Sequence, residues 1–127
     1  MRKLAAAPAL GALMALIAAP ALAADAAQEI KTAALHAGMA SASDTLEMVR
    51  AHLHHALNCL EGPKGANFDA KALNPCKGQG MGAIPDSPPD KRKALEAAAG
   101  QTGMALAEPD MAKAKAMAAQ VQKSLGE

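Results

Sequence analysis

The stretch Leu46 to Leu60, LEMVRAHLHHALNCL, constrains this chain more than any other. At about 100° per residue, Leu46, Val49, Leu53, Leu57 and Leu60 fall in one narrow stripe, the spacing of a helix that buries one face. Met48, His52, His55 and Cys59 make a second stripe at helical steps, roughly 135° around from the first. His54 points away from both and is expected to face solvent. The stretch therefore predicts a bundle helix with an apolar face and a separate face rich in metal-ligand atoms. Three of the four histidines lie here, and the fourth, His36, is a short way upstream.

The rest of the chain repeats the helical period and nowhere alternates as a half-buried strand does. A first segment runs from Asp25 to about Ala40, with Ile30, Ala34, Ala37 and Ser41 on one face and His36 and Met39 on another. Gly38 and Ser41-Ala42-Ser43-Asp44 weaken the helix there, so a break is expected, with Asp44 and Glu47, or Ser41 and Asp44, as a capping pair. The second helix then runs from about Asp44 to Glu61 and stops at Gly62-Pro63. Ser87-Pro88-Pro89-Asp90 opens a third, with Ser87 as N-cap and Ala94, Leu95, Ala98, Thr102, Ala105 and Leu106 inward. Glu108-Pro109-Asp110 restarts the chain into a fourth, with Met111, Ala114, Met117, Ala118, Val121 and Leu125 along one side. The fold class expected is all-α, a small up-and-down bundle of about four helices.

Residues 62–86 join the second and third of these helices through a long Gly- and Pro-rich connection holding Phe68, the only aromatic. Loops of this length without structure are uncommon in small domains. The two cysteines, Cys59 and Cys76, offer a staple that draws this one back toward the second helix. Alanine dominates the helices and large apolar side chains are sparse, so the core is thin and a cross-link matters to stability.

Residues 1–23 read as a secretory signal: Arg2 and Lys3 lead an apolar run from Leu4 to Ile17, and Ala21-Leu22-Ala23 follows Pro20 as a small-x-small cleavage site. Residues 24–127 are then the helical domain, in the periplasm or secreted, where an oxidising environment makes a Cys59–Cys76 bond the default. Loss of Arg2 and Lys3 takes the formal net charge from +1 to −1. A near-neutral domain has no basic footprint for nucleic acid or a membrane surface. No mature segment has the apolar length of a membrane span.

Histidines at i and i+3 place two imidazoles on one face, near enough to share an ion. His52 and His55 are the expected ligands, with Met48 one turn earlier and His36 from the first helix as assistants. Imidazole with thioether suits copper, Cu(I) in particular, while imidazole alone suits zinc, nickel or Cu(II). Met104, Met111 and Met117 read as core filler.

In helix content, export and histidine cluster the chain resembles small exported His-bearing helical metal-binding proteins of bacteria. That resemblance implies a metal-sequestering or metal-delivering role, and it covers architecture rather than a motif. The chain is also similar in length and helix content to the exported four-helix cytochromes that hold haem b. That family takes its axial His from the last helix, where this chain has none after His55, so haem would need His36 and the second helix. CxxCH is absent, which excludes covalent c-type attachment. No recognisable nucleophile arrangement or phosphate loop is present, and the chain is read as not an enzyme. The alternative function is a cofactor-free structural or protein-interaction module that uses the 62–86 loop, with Phe68 as its anchor.

Overall fold

In a computed structural model describing residues 24–126, the chain folds as five α-helices with no strand among the described residues. The expected signal segment, residues 1–23, lies outside the described residues. Four long helices, α1 (Ala26–Ser41), α2 (Leu46–Glu61), α4 (Pro89–Ala107) and α5 (Met111–Leu125), form a bundle; α3 (Ala83–Asp86) is a single turn. Around the bundle α1 packs on α2, α2 on α4, α4 on α5 and α5 back on α1.

Local chemistry sets the helix starts. Asp25 caps α1 by accepting the Gln28 N–H at 2.9 Å, and Asp110 caps α5 by accepting that of Lys113 at 2.9 Å. The break between α1 and α2 is real, but its cap is neither Ser41 nor Asp44. Thr45 takes the role, its hydroxyl accepting the Met48 N–H at 3.2 Å, because Thr45 is the residue whose backbone is still extended. Likewise α4 starts one residue later than expected. Pro88 is the N-cap and Pro89 the first helical residue, while the buried Ser87 ends α3 as its C-cap and its hydroxyl makes no cap bond to α4. The fixed φ of proline suits this first turn without a side-chain cap.

The inward stripe of α2 is as the period predicts: Val49, Leu53, Leu57 and Leu60 are buried. On α1 the buried face is rotated from the expected one and comprises Glu29, Ala33, Ala37 and Ala40, with Ile30 and Ala34 half-buried at its side. Alanines let α1 lie close between α2 and α5, so small residues rather than Ile30 occupy its centre line. On α4, Ala99 is buried and Ala94 exposed, the reverse of the simple stripe. Two buried clusters result. One gathers Leu57, Leu60, Leu95, Val121 and Leu125 around the disulfide; the other holds Val49, Leu53, Ala105, Ala114 and Ala118 nearer the α1–α2 turn.

Cys59 and Cys76 are bonded, their Cα atoms 5.2 Å apart. Beside Cys59, the buried Asn58 makes a polar anchor for the same loop. Its amide donates to the carbonyls of Asp69 at 3.0 Å and Leu73 at 3.2 Å and accepts the Asp69 N–H at 2.9 Å. Those bonds satisfy loop backbone that would otherwise be buried unpaired. The connection is not structureless, since α3 forms at its end and makes a fifth helix. Gly62 ends α2 at φ +72°, and a side chain there would run into the Met81 carbonyl, so the returning segment crosses the helix end against bare backbone.

Candidate metal centre

Antiparallel neighbours joined by a short turn bring the middle of α1 beside the middle of α2, and this is what places His36 against the α2 histidines. His36 Nδ1 and His52 Nδ1 are 3.4 Å apart. The ring centroids of His36, His52 and His55 form a near-equilateral triangle with sides of 5.6, 5.1 and 5.5 Å. Each ring offers one nitrogen such that all three lie within 4.8 Å of one another, an arrangement able to hold a metal ion. Among the described residues no other group of three His, Cys, Asp or Glu side chains meets that condition.

The shortest separation is informative. Two ligand nitrogens on a tetrahedral ion with bonds of roughly 2.0–2.1 Å stand about 3.4 Å apart, and His36 and His52 already have that spacing.

All three rings are half-buried, between the bundle and solvent. His36 is held below the usual imidazole pKa by burial first, then by the neighbouring His55 and His52. His55 is lowered in the same way, by burial and then by His52 and His54. Both effects disfavour the imidazolium and leave the lone pairs free for a cation. The buried Nδ1 of His55 has no hydrogen-bond partner, so no protein group claims it. Nor does any carboxylate or carbonyl hydrogen-bond to the three rings among the described residues; their one polar contact is between His36 and His52.

His54 stays outside the trio, as its helical position requires, but it is not simply solvent-facing. Its Nδ1 lies 3.5 Å from Asp69 Oδ2 on the loop, and its side chain is 37% exposed. The loop ties to α2 through Asn58 and Cys59, while His54 Nδ1 makes no hydrogen bond. Met48 and Met39, one turn from His52 and His36, are 48% and 41% exposed. Asn58 was not singled out by its sequence position, since an Asn near a helix end reads as a solvated or capping residue. Comparisons of the chain with protein-family models, curated proteins and solved structures gave no match.

Proposed function

We propose that this protein binds one transition-metal ion, copper first, through His36, His52 and His55, and that its role is sequestration or delivery in an exported setting rather than catalysis. The observation that carries the reading is the trio itself: three ring nitrogens from two helices within 4.8 Å of one another. Three neutral donors with no carboxylate suit a soft or borderline ion, and the thioether of Met48, one turn before His52, is the natural soft fourth ligand for Cu(I).

Reversible binding fits the surroundings. Strongly held metal sites orient their histidines with second-sphere carboxylates or carbonyls; these rings have none and open to solvent, which favours exchange. The Cys59–Cys76 bond fits an oxidising, extracytoplasmic environment. No helix among the described residues is long and apolar enough to cross a membrane. With residues 1–23 removed as a signal, the periplasm or the exterior is the proposed location.

A second reading, a protein-interaction module, draws support from a groove of about 760 Å³ lined by Leu57, Asn67, Ile84, Gly100 and Met104, beside the 62–86 loop. The haem reading has less support, since rings in edge contact leave no slot for a porphyrin between them. Elemental analysis and an absorbance spectrum of protein purified from its native compartment separate the three. Copper near one equivalent supports the proposal, a Soret band the haem reading, and neither signal the interaction module.

A further inference from the structure

A glutamate in the first turn of an exposed helix ordinarily reaches water, yet Glu29 has no exposed surface. The segment that returns from the disulfide loop covers it. Asp25 N–H donates to the Gln79 carbonyl at 2.8 Å, the Thr32 hydroxyl to Gln79 Oε1 at 3.2 Å, and Gly82 N–H to Glu29 Oε1 at 2.9 Å. Gly80 lies across the carboxyl group. A side chain there would collide with Glu29 and with Asp86 Oδ2, so the two carboxyls converge on the space that a glycine leaves open. Asp86 in turn accepts the Met81 N–H at 2.6 Å through Oδ2.

Glu29 Oε1 and Asp86 Oδ2 thus each accept a backbone N–H, whereas Glu29 Oε2 is fully buried with no partner. An ionised carboxylate in that position would have a desolvated, unpartnered oxygen and a second carboxylate beside it, with no cation among the charges acting on it. The groups acting on Glu29 are Asp86 on α3 and Asp25 at the start of α1; no charged group of α2 or α5 contributes. A proton on Oε2 removes the difficulty. It neutralises the buried group, gives a carboxyl within hydrogen-bonding reach of Asp86 a proton to donate, and leaves Oε1 free to accept from Gly82.

We propose that Glu29 and Asp86 share one proton and form a pH-gated latch, which fastens the 80–87 segment to the start of α1 and loosens it when the proton leaves. Burial, with the Asp86 and Asp25 charges adding to it and the Gly82 N–H opposing it, raises Glu29 from its ordinary 4.5 to about 7, within the range an exported protein meets. Deprotonation sends the Oε2 proton to solvent and leaves two facing carboxylates. The Gly82 and Met81 N–H groups then hold two mutually repelling acceptors, and the segment opens locally while the disulfide keeps Cys76 in place. The latch does not depend on the metal reading.

Amide hydrogen exchange on the full chain in the presence of a chelator tests it, with exchange rates corrected for their intrinsic pH dependence. Protection of the Gly82 and Met81 amides should fall by about tenfold or more between about pH 5 and about pH 8, since each unit by which the closed state's proton affinity exceeds the open state's is one decade. Glu29→Gln keeps an acceptor for Gly82 and a donor for Asp86, so its protection should be high and flat. A wild-type profile without the fall, or a Glu29→Gln profile that follows the wild type, overturns the latch. Should that variant fold poorly, carbon-13 titration of the wild-type Glu29 carboxyl decides alone. A midpoint near 7 supports the shared proton, and one in the ordinary carboxylate range overturns it.

Discussion

His36 of α1 and His52 of α2 stand with their Nδ1 atoms 3.4 Å apart although sixteen positions separate them in the chain. Apolar packing between α1 and α2 is what fixes this distance. The α1 alanines and the α2 leucines set the helix separation, and the histidines ride on the flank of that contact. The site therefore depends on the hairpin rather than on the anchor that Asn58 gives the loop.

Asn58 provides the test of that independence. Asn58→Ala leaves one N–H and two carbonyls of the loop without partners, and should destabilise the protein by about 2–4 kcal/mol. Metal affinity should change by less than about threefold, because the trio has no contact through Asn58. Urea unfolding and metal titration of the same variant measure both quantities.

Reduction should act on stability more than on binding. The Cys59–Cys76 bond closes a loop of sequence separation 17, which the chain-entropy estimate values at about 3 kcal/mol. For a domain of this size that corresponds to a fall in Tm of roughly 10 °C or more. Thiol titration of the unreduced, denatured protein should find no free thiol. Differential scanning calorimetry with and without reductant gives the shift, and an unchanged melt would show that the hydrogen bonds of Asn58 hold the loop without help.

Two groups of ionisable residues should give the metal-free protein opposed pH dependences. His36 and His55 are lowered in the folded state, so their contribution to stability is present above the unfolded value of 6.5 and is lost as pH falls through their lowered values. Glu29 is raised, so its contribution is fully present below 4.5 and is lost as pH rises toward about 7. The wild-type curve is the difference of these trends. In a Glu29→Gln background, Tm should rise with pH between about 5 and 7, and adding His36→Gln and His55→Gln should flatten it. Thermal melts of the chelated variants across that range provide the check.

The features legible in the sequence were those that a helical period encodes. The two stripes of α2, the interruption after Ser41 and the pairing of Cys59 with Cys76 all follow from spacing or from residue type. His36 was legible as a candidate only, since its approach to His52 depends on how the α1–α2 hairpin closes. Glu29 was not legible at all. A carboxylate in a first helical turn is normally solvated, and what buries this one is Gly80–Gly82, fifty residues further along the chain. Asn58 and α3 were hidden for the same reason, because the disulfide loop folds onto the helices through contacts that no local pattern announces. The rotated face of α1 reflects close packing, which favours Ala33, Ala37 and Ala40 over the larger Ile30 at its centre.

The most direct measurement is a competitive titration of Cu(I), Cu(II) and Zn(II) against the wild type and the single variants His36→Ala, His52→Ala, His55→Ala, His54→Ala and Met48→Ala. The wild type should bind one ion per chain, more weakly as pH falls and protons compete for the ring nitrogens. Each of His36→Ala, His52→Ala and His55→Ala should lose about tenfold or more in affinity, at least about 1.4 kcal/mol. His54→Ala should bind as the wild type does, because its ring turns to Asp69, and Met48→Ala should weaken Cu(I) more than Zn(II). Equal losses from His54→Ala and His52→Ala, or no saturable binding at one equivalent, would contradict a metal centre built on the three histidines.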